Sequence, residues 1–150
     1  MLTCLLKKHR LIALDTSLLI YHLEENPVYS SLTSHILGAI QEGRCHGVLS
    51  DITLLELLVL PLRLNQQDCA DEYELLLTHF PNLALVPVSR NIILKAASIR
   101  ALYGLKTPDA LIIATALSCG ATLLITNDHQ WQRITELDVV CLDQLILKTE

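Results

Sequence analysis

Short apolar runs recur along this chain between stretches of helical spacing, and that alternation restricts the possible folds more than any other feature. Leu11-Ile-Ala-Leu14, His46-Gly-Val-Leu-Ser50, Leu83-Ala-Leu-Val86, Thr122-Leu-Leu-Ile-Thr126 and Val139-Val-Cys-Leu142 have strand length and read as buried strands. Helical segments separate them, which is the pattern of βαβ units feeding a mainly parallel sheet. The class predicted is α/β.

The helical segments carry their own punctuation. Ser17 to Glu25 ends near Asn26-Pro27, where proline forbids continuation, and a second helix runs from about Tyr29 to Glu42 and stops at Gly43. Ile52 to Leu62 is apolar nearly all round, which predicts a buried helix closed by Pro61. Gln67 to His79 is amphipathic, with Asp68, Asp71, Glu72 and Glu74 as its solvated face and Pro81 beyond its end. Ser89 can cap a helix reaching about Tyr103, with Gly104 placed for a left-handed stop. Thr107-Pro108-Asp109 offers a capping hydroxyl, a proline at the first helical position and a first-turn carboxylate, and Gly120 ends that helix.

Composition sets the outer limits. With 150 residues, 51% of them hydrophobic and 18% charged, the chain can bury a large core as a single domain over residues 1–150. Aromatics at 4% and five glycines disfavour a turn-rich β-sandwich. Eleven Lys plus Arg against sixteen Asp plus Glu leaves a net charge of −5, so duplex nucleic acid is not held by bulk charge, and any nucleic-acid site is local. Mean hydropathy is +0.42, yet no apolar run approaches the ~18 residues of a spanning helix. The start, MLTCLLKKHR, lacks the apolar stretch of a secretory signal. A soluble, cytoplasmic protein with no membrane partner is expected. Cys4, Cys45, Cys69, Cys119 and Cys141 are odd in number with no close pair, and read as buried thiols rather than a disulfide or zinc framework.

Four carboxylates stand in places where chemistry collects. Asp15 and Asp128 each follow a buried strand, at the edge where parallel sheets build sites. Glu56 and Asp109 sit on helices that look too apolar to face water. An unpaired buried carboxylate costs several kcal/mol or more, and the cation nearest Glu56 in sequence is Arg63. A shared divalent cation relieves all four at once. Oxygen ligands without a soft neighbour suit Mg²⁺ or Mn²⁺, which favour phosphate chemistry and suggest phosphodiester hydrolysis. Taken singly, each acid has a plainer reading: Asp15 and Asp109 as helix caps, Asp128 as a turn residue, Glu56 as a residue reaching solvent. Other chemistries find no support, for there is no HExxH, GxGxxG, Walker loop or GxSxG elbow, and Asp15-Thr16-Ser17 lacks the second aspartate of haloacid-dehalogenase phosphatases.

Ile12-Ala-Leu-Asp15-Thr16-Ser17-Leu-Leu-Ile-Tyr21, the lone Glu56, Leu105-Lys-Thr-Pro-Asp109-Ala-Leu-Ile-Ile-Ala-Thr-Ala116 and Leu124-Ile-Thr126-Asn127-Asp128, in that order, resemble the motifs of PIN-domain ribonucleases. Within that family the chain is most similar to the VapC-type toxins of bacterial toxin–antitoxin pairs. The resemblance implies a three-layer sandwich, with helices on both sides of the sheet, and an Mg²⁺- or Mn²⁺-dependent endoribonuclease with an RNA substrate. It makes Asp15, Glu56, Asp109 and Asp128 the catalytic, metal-holding acids. Thr126, and after it Thr16 and Asn127, would steady them by hydrogen bonds. Trp131 falls where the family has an aromatic residue and reads as core. A cognate antitoxin and a homodimer are further implications, the second also drawn from the apolar content of so small a chain. Lys106, Arg90, Lys95 and Arg100 are candidate phosphate contacts, though each reads first as part of a solvated face. The isoelectric point near 5.6 departs from expectation for an RNA enzyme, and residues 63–81 carry no recognised motif. The alternative is a catalytically silent PIN-like module that binds RNA or protein.

Overall fold

A computed structural model describes residues 1–146. Its centre is a five-stranded sheet of β1 (Leu11–Leu14), β2 (His46–Ser50), β3 (Leu83–Val86), β4 (Leu123–Thr126) and β5 (Asp138–Cys141), ordered β3-β2-β1-β4-β5. Every pairing is parallel.

Helices α1 (Leu2–Lys8), α2 (Thr16–Leu23), α3 (Ser30–Gln41), α4 (Asp51–Arg63), α5 (Gln67–His79), α6 (Arg90–Tyr103), α7 (Thr107–Ser118) and α8 (Leu142–Ile146) connect and flank the strands. Alternation along each strand sorts the core into two layers. Ile12, Leu14, Leu49, Leu123 and Ile125 join a cluster with Leu18, Ile36, Leu57 and Leu77 from α2 to α5. Ala13, Val48 and Leu124 point the other way, onto Ile92, Ile99, Ile113 and Trp131. The result is helix, sheet, helix.

The chain runs outward from β1 through β2 to β3, then crosses back to place β4 on the other side of β1. Sheets of this kind form their crevice beyond the carboxyl ends of the strands where the winding reverses, which here are β1 and β4. The Asp15 amide donates to the Ile125 carbonyl at 3.0 Å, closing the floor of that crevice.

Several expectations need correction. The opening segment, assigned no element from the sequence, forms α1, since Leu2, Leu5 and Leu6 lie at helical spacing and pack on the first core layer. A short α8 follows β5, so Leu142 belongs to a helix, and Thr122 lies outside β4. Pro61 does not close α4. It removes one hydrogen bond near the carboxyl end, while the Gln66 amide takes the Pro61 carbonyl at 2.8 Å and the helix continues to Arg63. Thr107 does not cap α7: Lys106 is the cap residue without a side-chain bond, and the Thr107 hydroxyl accepts from Arg100 Nη1 at 3.0 Å. Nor is α4 buried, because Leu55 is 59% and Leu62 is 46% exposed. An all-apolar helix satisfies either a core or a partner, and periodicity alone does not separate the two. Of the cysteines only Cys45 and Cys141 are buried, while Cys4 is exposed. Gly104 does take the left-handed turn, at φ 68°, and Asp68, Asp71, Glu72 and Glu74 are exposed.

Gly47 on β2 is a tight point. A Cβ there would lie 2.6 Å from Leu83 Cδ1 and 2.9 Å from Ile40 Cδ1, both ends of flexible side chains. Gly47→Ala should therefore cost about 1–3 kcal/mol by overpacking, read as a lower urea midpoint; an unchanged midpoint would mean that the two side chains yield freely.

Candidate active site

Asp15 is the anchor of the crevice. As the residue capping α2 it receives the Thr16 amide on Oδ1 at 2.7 Å, while Oδ2 accepts from Ser17 Oγ at 3.0 Å and Thr126 Oγ1 at 2.8 Å. It is 8% exposed. Burial raises its carboxyl above the ordinary range in spite of these three donors, and the charge of Glu56 adds to the rise. Thr126 has a second task, its hydroxyl accepting from the Asp128 amide at 3.0 Å. One threonine thus fixes the side chain of one acid and the backbone of another.

Glu56 lies on α4, and its Oε1 accepts from Thr16 Oγ1 at 2.8 Å. Thr16 Oγ1 also lies 3.0 Å from Thr53 Oγ1, one helical turn before Glu56. The side chain of Glu56 is exposed, which corrects the expectation that its helix hides it from water. Asp109, in the first turn of α7, is half-buried. Burial pushes its carboxyl up, the charges of Asp15 and Asp128 push it further, and Lys106 and the Trp131 indole offset only part of this. Trp131 is buried, and its Nε1–H donates to no acceptor at hydrogen-bond geometry among the described residues. Asp128 is exposed, and its Oδ1 caps the 3-10 turn His129–Arg133 through the Gln130 amide at 2.9 Å.

The four acids thus share one electrostatic neighbourhood, with Asp15 felt by Asp109 and Glu56 felt by Asp15. None of them forms an ion pair with Lys, Arg or His among the described residues. No three of them bring carboxylate oxygens within 4.8 Å of one another there. Such a loose ring of hard oxygen donors fits a cation that keeps several of its waters, as Mg²⁺ does.

Two supporting residues escaped sequence reasoning. Ser17 sits in Asp15-Thr16-Ser17 and was legible as a second hydroxyl after the acid; Thr53 was legible as the residue one turn from Glu56. Asn127, by contrast, bonds none of the four acids. Its Nδ2 reaches the stacked Tyr21 and Tyr29 hydroxyls at 3.3 and 3.2 Å, and its Oδ1 accepts from the Asp143 amide. Of the candidate phosphate contacts, Lys106 adjoins the acids, whereas Arg100 is engaged by the Leu105 carbonyl and Thr107.

A family model for the PIN domain matches residues 12–137. A chain of the toxin–antitoxin complex from Klebsiella pneumoniae superposes with TM-score 0.67 at 25% identity, covering 87% of this chain and 97% of that one. VapBC-1 from nontypeable Haemophilus influenzae gives TM-score 0.62 at 25% identity, over 89% of this chain and 98% of that one. VapBC2 from Rickettsia felis, bound to a promoter DNA fragment, shares the fold with TM-score 0.67 at 18% identity, over 87% and 98%. A comparison with curated proteins gives no match.

Proposed function

The chain belongs to the PIN-domain family, and from that premise we propose that residues 1–150 form one domain acting as a divalent-metal-dependent endoribonuclease, the toxin of a toxin–antitoxin pair. The observation that carries this reading is Asp15: a buried carboxylate with three donors, no cationic partner among the described residues, and electrostatic coupling to Glu56 and Asp109 at the point where the winding reverses. Mg²⁺ or Mn²⁺ held by Asp15, Glu56, Asp109 and Asp128 would supply an activated water and neutralise charge on the leaving oxygen.

The residues themselves hold that arrangement ready. Thr126, Ser17 and the Thr16 amide fix both oxygens of Asp15, and the Thr16 hydroxyl tethers Glu56 to the same helix start. Lys106 offers a positive charge to a phosphate at the rim. With a net charge of −5, binding depends on such local contacts and favours a flexible single strand that can enter the crevice. No described helix is long and apolar enough to cross a membrane, and the RNA substrate puts the activity in the cytoplasm.

The test is cleavage of a mixed RNA pool. Chelation should abolish it and Mn²⁺ or Mg²⁺ should restore it; inertness with every metal would instead identify a silent binding module.

Partners are part of the same reading. The Klebsiella pneumoniae neighbour is a toxin–antitoxin complex, and a groove lined by Leu23, Leu57, Leu60 and Tyr73, with Glu24 and Glu56 at its edge, offers an antitoxin both apolar surface and two acids. Exposed Leu94 and Leu102 on α6 add apolar surface for a second copy. Light scattering at micromolar concentration should give the mass of two chains, and a mass near 16.7 kDa would refute the homodimer.

A further inference from the structure

The sheet brings together three side chains that the acidic pocket does not use. Cys141 ends β5, paired in register with Thr126 of β4; His129 opens the 3-10 turn after β4; Asp143 lies in the first turn of α8. One ligand atom from each lies within 4.8 Å of the other two. His129 Nε2 and Asp143 Oδ2 are 2.6 Å apart. Asp143 Oδ1 is buried and has no hydrogen-bond partner among the described residues. An ordinary surface ion pair leaves that second oxygen unexplained, since a buried acceptor is normally satisfied.

We propose that His129 Nε2, Cys141 Sγ and the Asp143 carboxylate form a binding site for a borderline-soft divalent cation of the Zn²⁺ class, separate from the acidic pocket. The donor set is the first reason. Thiolate and imidazole select Zn²⁺ over Mg²⁺ or Mn²⁺, whereas carboxylates alone do the reverse. Geometry is the second. Bonds of about 2.0–2.3 Å place tetrahedral ligands roughly 3.3–3.8 Å apart, so the three atoms need only small shifts, chiefly an opening of the His129 to Asp143 contact. Access is the third. Cys141 itself is fully covered, but His129 is 54% and Asp143 38% exposed, so a cation enters from their side and the fourth position stays open to water.

Without a cation the Cys141 thiol is neutral, held up to about 11 by burial and by the charges of Asp143 and Asp128. The incoming cation takes the thiolate sulfur, and the thiol proton leaves to solvent. Because His129 directly follows Asp128, an occupied site would brace the turn that carries that acid. The site would thereby couple a thiol-seeking metal to the pocket without sharing a ligand with it.

Cobalt is the probe, because Co²⁺ bound by thiolate gives a sulfur-to-metal charge-transfer absorption that carboxylate-bound Co²⁺ lacks. Titrated into the reduced full chain, Co²⁺ should produce this band at one equivalent, and Zn²⁺ should displace it. The band should persist in Cys4→Ser and in Asp15→Asn, disappear in Cys141→Ser, and require more than about tenfold more Co²⁺ in His129→Gln. Circular dichroism checks that each variant is folded. Should Cys141→Ser fail to fold, His129→Gln decides, as its side chain is exposed and its loss leaves the core intact. No band in the wild type, a band that survives Cys141→Ser, or an unchanged cobalt affinity in folded His129→Gln each overturns the site. Persistence in Asp15→Asn keeps this outcome independent of the nuclease reading.

Discussion

Asp15→Asn should lose RNA cleavage by more than the ~10- to 100-fold typical of losing an outer-shell partner, yet melt no lower than the parent. The first half follows from position, because Asp15 is the most buried of the four acids, feels the charge of Glu56 and is in turn felt by Asp109. The second half follows from electrostatics. Its carboxyl is raised above the ordinary 3.8 by burial despite three hydrogen bonds, so the ionised form is less comfortable in the fold than in water. Between 3.8 and the raised folded value the native state holds more protons than the unfolded one, and stability falls as pH climbs through that window. An asparagine removes the penalty above it. The amide oxygen can still accept the Thr16 N–H, and the Ser17 and Thr126 hydroxyls can turn to accept from the new NH₂. Cleavage assay and thermal melt at neutral pH read the two halves separately. Retained activity, with metal binding unchanged, would remove Asp15 from the pocket; lost activity with a much lower melting temperature would make it a structural cap instead.

The fold was legible where local and global signals agree. Leu11 to Leu14 is a strand because a short apolar run followed by Asp-Thr-Ser can only be a buried strand turning into a capped helix, and the structure makes Asp15 that cap. Gly104 and Gly43, both at positive φ, ended their helices for the reason that only glycine enters that region without strain. The failures have equally local causes. In α1, Leu2, Leu5 and Leu6 had the right spacing, but a seven-residue helix is decided by the core it meets rather than by propensity. In α4, the same apolar composition fits a core or an interface, so the exposure of Glu56 and Leu55 waited for the packing.

The site divides in the same way. Asp15 and Thr126 lie at matching ends of neighbouring strands, so the order of the motifs already placed them together once a parallel sheet was inferred. The tie between Glu56 and Thr16 depends on how α4 packs on α2, which strand periodicity does not encode. The trio of His129, Cys141 and Asp143 was out of reach from spacing alone. It exists because β4 and β5 end in register and because α8 begins at once after β5; the end of β4 at Thr126 was legible, but β5 was read one residue too far, into Leu142, and α8 was not read at all.

Mn²⁺ should stabilise the fold by about 2.7 kcal/mol at a hundred times its dissociation constant, and the gain should come with expelled protons. Asp109 and Asp15 both hold protons to a higher pH than free carboxylates do, Asp109 in part because the charges of Asp15 and Asp128 lie near it. A divalent cation among these acids reverses the sign of every such repulsion, so each ionised form becomes favourable and its proton is released. Binding therefore strengthens as pH rises from the ordinary 3.8 through the raised folded values and levels off beyond them. Calorimetric titrations of Mn²⁺ into the wild type across that range, in buffers of different ionisation enthalpy, count the protons directly. The count should fall in Asp109→Asn, which has one fewer carboxyl to deprotonate, and Glu56→Gln should bind more weakly because a negative charge is gone. Heats that do not depend on the buffer, in the wild type and in Asp109→Asn alike, would mean that the acids titrate independently of the metal. The crevice would then hold four separate carboxylates and no common site.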